Sequence, residues 1–359
     1  MKIVIEPIVY KNETLSSWLI RSAIINGSDP STWTNTIFSN SRIWNKDIDR
    51  FLNNEQSKIL SNSCSKTFVE IKNLTLEPLI KKLYNKNELN PMKIWMLIIT
   101  SGNRGSYKRG GTYFCPLCIK DKLSFIFRKE FKFAWNTACS IHKINLLEKC
   151  ENCNKPFMPH KITYTNPKVY ICTNCKYDLR TSKLEQCNLE VLELQEKLNM
   201  AIYENCLDIN FPLKKHTIEE LFKNIRILLS FLRALFKTNK YDTFLKKLNI
   251  SIPNNFLYTL KESKNFEDMS LKNREFFLLI ISRIFKFNIE EIKKIFENMS
   301  FSHNLVANQS TLTSETISYL SQNLKIISQS KRYKIKKKEI IPKSIEEVKL
   351  ILQELKQCL

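Results

Sequence analysis

Four pairs of soft donors stand between positions 115 and 175. They are Cys115-Pro-Leu-Cys118, Cys139-Ser-Ile-His142, Cys150-Glu-Asn-Cys153 and Cys172-Thr-Asn-Cys175. Two residues separate the donors of each pair, so one tight turn can aim both at a single tetrahedral ion. Eight such donors saturate two zinc ions. A catalytic zinc keeps a position open for water or substrate, and a closed donor set does not. The chemistry expected is therefore structural: two zinc ions that fold the chain. Sequential pairing gives Cys115, Cys118, Cys139 and His142 one ion, and Cys150, Cys153, Cys172 and Cys175 the other. An interleaved pairing satisfies the same spacing, which does not fix connectivity.

Disulfides are the competing use of these cysteines. Seven of the chain's 11 cysteines lie in this one segment, and one of its four histidines completes the set. The start, Met1-Lys-Ile-Val-Ile-Glu6, has no long apolar core and no small-residue cleavage site, so no secretory leader is expected. Cys64, Cys187, Cys206 and Cys358 are isolated, as free thiols in a reducing cytosol are.

The elements that must hold these turns are mostly helical. The chain has 359 residues, room for two or three domains, and 43% of them are hydrophobic, enough for a core. The longest apolar run, Ile94 to Ile99, is far too short to cross a bilayer. The formal charge is +22. Ionising seven thiolates and adding two zinc ions leaves about +19. Such an excess points to a polyanion, most simply nucleic acid held through its phosphates. The abundance of Lys, Asn and Ile throughout also fits AT-rich coding, which accounts for part of the excess.

Residues 12–27 read as a helix, capped by Asn12 or Thr14, with acidic Glu13 at the positive end of the dipole. Leu15, Trp18, Leu19 and Ala23 share one face. Asn26-Gly27 offers a left-handed stop, and Asp29-Pro30 restarts a helix with a cap and a first-turn proline. This is the outline of a helix-turn-helix, and of any small helical hairpin. Helix continues through 68–100, with Leu74, Leu76, Leu79, Ile80 and Leu83 as core. Tyr84 to Pro91 reads as a connection, and Ile94 to Ile99 as a short buried element.

Four of the five glycines crowd into 101–112, at Gly102, Gly105, Gly110 and Gly111. A glycine-poor chain places them where the backbone needs positive φ or a close approach. Arg104, Lys108 and Arg109 are interleaved with them, as in a basic loop against phosphate or a solvated hinge. The stretch nearly fits a phosphate-loop pattern, but Gly111 stands where the lysine must be, which excludes nucleotide hydrolysis here. Between the first two donor pairs, Phe125, Phe127, Phe131, Phe133 and Trp135 alternate with Arg128, Lys129 and Lys132. Base stacking and core filling both use such a pattern, and a small zinc module needs the core.

Beyond 188 the pattern is helical: 188–206, 217–236 starting at Thr217, the pair 272–285 and 289–299 with Asn288 and Glu291 as a capping box, 315–327 and 344–356. A basic run over 331–343 includes Lys331, Arg332, Lys336, Lys337 and Lys338, solvated or on phosphate. The expected architecture is mainly α with small zinc-binding knuckles. An N-terminal helix-turn-helix-like domain spans 1–100, a basic loop with a double zinc-finger region 101–187, and an all-α domain 188–359.

Three blocks resemble the TniQ/TnsD family of Tn-seven-type transposons. They are Glu13-Thr-Leu-Ser-Ser-Trp-Leu-Ile-Arg-Ser-Ala-Ile-Ile-Asn-Gly27; Trp95 with the glycine-arginine loop running into Tyr113-Phe-Cys-Pro-Leu-Cys118; and Phe133-Ala-Trp-Asn-Thr-Ala-Cys-Ser-Ile-His142 followed by Leu146-Leu147 and Cys150-Glu-Asn-Cys153. The likeness covers roughly 7–180 and implies helix-turn-helix domains flanking zinc knuckles. It implies a bacterial, cytoplasmic, non-catalytic adaptor that selects the insertion target and recruits a TnsC-type AAA+ ATPase. TnsD-like relatives bind an attachment site in double-stranded DNA directly. Those of CRISPR-associated transposons dock on a Cascade-type guide-RNA complex, in some systems as a homodimer.

Two other classes compete. A nucleobase deaminase needs His-x-Glu before its Pro-Cys-x-x-Cys, and His142-Lys-Ile144 lacks the glutamate. No clustered acidic triad suggests a metal-dependent nuclease. A zinc-containing transcription regulator shares the charge and the helix-turn-helix, and only the family blocks argue against it.

Overall fold

The structure is a computed structural model. It describes residues 2–39, 43–84, 97–99, 111–120, 126–208, 217–237, 241–252, 260, 265–288 and 290–291, with the backbone of 301–302 and 326–327. The expected helices 289–299 and 344–356 and most of 315–327 lie outside these residues, apart from the Asn288–Glu291 capping pair, whose two backbone-to-side-chain bonds are 2.8 and 2.9 Å. The fold is mainly α, with ten α-helices among the described residues and only two-residue strands.

Helix α1 (Leu15–Ile25) starts later than its periodicity suggests. Asn12 takes a left-handed φ of 61° and turns the chain. Thr14, not Asn12, caps the helix by accepting from Ser17 N–H. Glu13 therefore does not sit in the first turn. Its carboxylate is 1% exposed and accepts from Tyr10 N–H, Ser17 Oγ, and Arg21 Nε and Nη2 at 2.7–3.1 Å. Gly27, at φ 68°, ends the helix as expected, and α2 (Pro30–Ile37) follows after a four-residue turn.

Helices α3 (Asn54–Ser63) and α4 (Phe68–Leu74) close a core of Leu15, Trp18, Leu19, Ala23, Trp33, Ile37, Leu60 and Ile71. The helix expected over 68–100 is broken. Thr75 is extended and its hydroxyl binds Lys72 C=O, and α5 (Glu77–Tyr84) begins anew with Pro78 in its first turn. Leu97–Ile99 is buried, with Leu97 left-handed at φ 64° and Ile98 pairing with Phe133.

The central region contributes α6 (Pro116–Lys120) and an antiparallel hairpin of β1 (Ala138–Cys139) and β2 (Ile144–Asn145). Phe127, Phe131, Phe133 and Trp135 are all at most 5% exposed, so the aromatic block is core and has no face left for a base. Phe125 lies outside the described residues. The largest core joins α5 and Leu97–Ile99 to α7 (Leu189–Glu204), α8 (Ile218–Leu235), α9 (Tyr241–Lys247) and α10 (Leu271–Ile284), with Phe133 and Trp135 between them. Thr217 and Glu220 form a full capping box on α8. The end of the helix expected over 315–327 is corrected. Ile326–Ile327 pairs in parallel with Phe301–Ser302 as two short strands, β3 (Phe301–Ser302) and β4 (Ile326–Ile327), which suits β-branched residues.

Glu13 ties the N-terminal segment, α1 and Arg128 together, since Glu13 also pairs with Arg128 through the backbone. Glu13→Ala removes four hydrogen bonds and leaves Arg21 without its carboxylate. The expected loss is about 3 kcal/mol of stability, read by denaturant melting.

Candidate metal centre

Each donor pair owes its shape to its own turn. In the second, third and fourth pairs the chain reverses through a residue four places after the first donor, and that residue is left-handed. Lys143 has φ 53°, Asn154 φ 53° and Lys176 φ 64°. The same backbone bond closes all three turns: Lys143 N–H to Cys139 C=O, Asn154 N–H to Cys150 C=O and Lys176 N–H to Cys172 C=O, at 2.8–3.0 Å. The first pair differs. Cys115 precedes α6, Pro116 opens that helix, and Ile119 N–H returns to Cys115 C=O at 3.2 Å.

The eight donors fall into two groups in chain order. Cys115, Cys118, Cys139 and His142 form one, Cys150, Cys153, Cys172 and Cys175 the other, and within each the donor atoms lie within 4.8 Å of one another. This is the sequential pairing, not the interleaved one. In the first group His142 Nδ1 is 3.5, 3.3 and 3.5 Å from the sulfurs of Cys115, Cys118 and Cys139, and Cys118 Sγ is 3.6 Å from Cys139 Sγ. In the second, Cys150 Sγ to Cys175 Sγ is 3.6 Å and Cys153 Sγ to Cys172 Sγ is 3.8 Å. A tetrahedral ion with zinc–sulfur bonds of about 2.3 Å sets its sulfurs about 3.8 Å apart, and sulfur to imidazole nitrogen about 3.5 Å. The donor set and spacing therefore fit a tetrahedral, thiolate-binding metal ion in each group. All four corners are protein atoms.

The electrostatics of the bare groups favour the same occupant. Hydrogen bonds from Cys115 and Cys118 hold the Cys139 thiol down at about 2. Cys118, hydrogen-bonded to both neighbours, is pushed up. In the second group the Tyr177 backbone amide lowers Cys175 to about 6, while desolvation lifts Cys150 to about 12 and raises Cys172. Each group alone keeps a thiolate beside neutral thiols, and a divalent ion ionises the rest and releases their protons.

The supporting shell comes from far along the chain. Gln195 of α7 accepts from Thr137 and Ala138 N–H at 3.0 and 3.1 Å and donates to Ala138 C=O at 2.9 Å, lying along β1 as another strand would. That grip fixes the hairpin carrying Cys139 and His142. Arg274 of α10, fully buried, donates to Ala134 C=O at 2.8 Å and lies 5.1 Å from the Tyr113 ring. The two groups are joined through Gly111 and Thr112. Thr112 N–H reaches Phe157 C=O at 2.8 Å, and a Cβ at Gly111 would meet Pro156 Cβ at 2.9 Å. Close approach is thus the reason for one of the clustered glycines.

The other anticipated residues stand differently. Arg104, Lys108, Arg109, Lys331, Arg332, Lys336, Lys337 and Lys338 lie outside the described residues. The spacing argument missed Gln195, although it is a polar residue on the apolar stripe of Val191, Leu194, Leu198 and Ile202. It also missed the seat of the second metal group against the N-terminal helices. There Asp29 Oδ1 accepts from Tyr164 N–H at 2.7 Å, and Trp44 stacks on His160 at 5.0 Å and 8°.

Residues 4–146 match the TniQ family. That span contains α1 to α6 and the whole first metal group, and stops short of the second. Among curated proteins none is significantly similar to the chain.

Metal analysis of the purified protein is expected to find two divalent ions per chain, one for each group of four donors. Cys139→Ser or Cys172→Ser should each leave one ion. Uptake by the stripped protein should release protons in weak buffer at neutral pH, and lowering the pH should favour loss of metal, because the ligands bind as thiolates. Gln195→Leu leaves the Thr137 N–H and the Ala138 N–H and C=O without Gln195 as their partner. It should cost about 3 kcal/mol and loosen the first ion selectively, read by competition with a chromogenic chelator.

Proposed function

Since the chain carries a TniQ domain over residues 4–146, we propose that it is a non-catalytic targeting adaptor of DNA transposition. In this reading it engages the target, as double-stranded DNA or through a Cascade-type guide-RNA complex, and recruits a TnsC-type AAA+ ATPase and with it the transposase. The family match carries the reading. The two closed donor groups support it, because four protein donors per ion leave no position for a substrate or an activated water. Both ions are proposed to be zinc, held by Cys115, Cys118, Cys139 and His142 and by Cys150, Cys153, Cys172 and Cys175. Their role is to fold the central region, for which binding energies of about 10–16 kcal/mol are typical. Arg104, Lys108, Arg109 and the basic run Lys331, Arg332, Lys336, Lys337 and Lys338 are proposed as phosphate contacts.

The formal charge of +22 favours a direct hold on nucleic acid. A TnsD-like direct reader and a guide-associated adaptor then differ in one respect, whether this chain itself selects a sequence. The metal-loaded protein should be mixed with a random-sequence duplex pool in rising salt, and separately with the ATPase of the same element. The adaptor reading requires capture of the ATPase, and its absence under all nucleotide states would sink that reading. Selection of one duplex that survives near-physiological salt marks the direct reader. Sequence-blind binding that collapses with salt marks the guide-associated form.

A further inference from the structure

We propose that the second donor group is a site of reversible thiol oxidation, where a peroxide converts its four cysteines into two disulfides, frees the metal ion and loosens the hold of this unit on α1 and α2. This chemistry is independent of the targeting role.

The four cysteines differ in reach. Cys150 and Cys172, the first donor of each turn, are 1% and 2% exposed, in a core shared with Phe114 and Phe157. Cys153 and Cys175, the second donors, are half-buried and open to a solute as small as a peroxide. Contacts between the turns pair one of each kind, Cys175 with Cys150 at 3.6 Å and Cys153 with Cys172 at 3.8 Å. An accessible cysteine beside a shielded one is the arrangement of an attacked thiolate and its resolving partner. Protein bonds keep the turns in this order. Cys150 N–H donates to Lys155 C=O at 3.0 Å and Cys172 N–H to Tyr177 C=O at 2.8 Å. Lys155 Nζ crosses from one turn to Asn174 Oδ1 of the other at 2.9 Å.

The reaction needs only these residues and hydrogen peroxide. The Cys175 thiolate attacks one peroxide oxygen, the O–O bond breaks and hydroxide leaves, which makes a sulfenic acid. The Cys150 thiolate then attacks that sulfur, the S–O bond breaks and a second hydroxide leaves, which makes the Cys150–Cys175 disulfide. Cys153 and Cys172 repeat the sequence. Four thiolates give four electrons to two peroxides, four hydroxides form, and no thiolate is left for the ion.

The first group cannot complete this sequence. It has three cysteines, of which Cys118 is half-buried while Cys115 and Cys139 are at most 1% exposed. One disulfide there leaves a cysteine and His142 as ligands, and Gln195 still clamps the hairpin. In the second group the loop between the two turns carries Tyr164 and His160, which hold Asp29 and Trp44. Replacing one four-donor centre by two separate bonds therefore shifts the segment that seats this unit on the N-terminal helices.

The test treats the full metal-loaded chain with hydrogen peroxide, follows freed metal with a chromogenic chelator and maps disulfides by mass spectrometry. One ion of the two should be freed about tenfold faster than the other or more, with Cys150–Cys175 and Cys153–Cys172 as the new bonds. Dithiothreitol with added zinc should restore both ions. Amide exchange at Tyr164 should quicken about tenfold or more on oxidation, because its bond to Asp29 loosens. Cys153→His/Cys175→His keeps four donors but removes both accessible thiols, and should slow release of the faster ion about tenfold. If this variant holds only one ion, the disulfide map of the parent decides alone. Loss of both ions at one rate, first bonds among Cys115, Cys118 and Cys139, or sulfinic acids without disulfides would each overturn the site. Unchanged exchange at Tyr164 would overturn its coupling to α1 and α2. The ATPase capture described above reads the targeting function separately and is untouched by either result.

Discussion

Cys139 and His142 stand on a hairpin whose strands are two residues each, and a hairpin that short does not hold itself in water. Everything in the middle of the chain follows from how it is held. The four donors tie it to α6 from one side. From the other, Gln195 reproduces the hydrogen bonds of a missing strand, and Asn199 binds Trp135 Nε1 and Asn136 at 2.9–3.1 Å. The small metal-binding region is thus not a bead on a string. It is inserted into the side of a helical body, with Phe133 and Trp135 stacked at 4.4 Å as the wedge.

The second metal group is held differently. Its core includes Ile20 of α1 together with Phe114, Phe127 and Phe157. Ser17 Oγ accepts from Phe127 N–H at 3.1 Å, and Lys132 sits between Asp47 and Asp49 with nitrogen–oxygen distances of 3.0–3.9 Å. Asp49 is raised by burial, an effect that Lys132 opposes, and its oxygens take both the amide and hydroxyl of Ser16 at 2.7 Å. A buried network of this kind adds little net stability but strongly penalises a shifted arrangement. Ile20 in the core of the second group and the Asp29–Tyr164 bond orient α1, α2 and that group as one unit, whereas the hairpin of the first group is held by α7 and α10.

The donor pairs were readable in the chain because their signal is local, two residues between ligands. The same holds for the Gly27 stop, Pro30, and the caps at Thr217 and Asn288. The break between α4 and α5 was marked by Pro78, but the apolar spacing of Leu74, Leu76 and Ile80 ran across it. Glu13 looked like a helix-dipole residue because acid before a helix usually is. Only the left-handed Asn12 and the approach of Arg128 show that it is a buried hub. The contacts that join the units connect residues up to 140 apart and leave no periodic trace. Polar residues on apolar stripes, such as Gln195, are the one hint of them.

The left-handed residue in three of the four donor turns bears on how such a chain can vary. Lys143, Asn154 and Lys176 occupy a conformation that a side chain branched at Cβ resists and that glycine or asparagine enters freely. Over evolutionary time these positions can exchange charge for neutrality with little effect on shape, yet valine, isoleucine and proline are closed to them. The tips of the knuckles can therefore drift in electrostatic character while the backbone that presents the donors stays the same, and a surface of this kind can be retuned toward a different partner without rebuilding its scaffold.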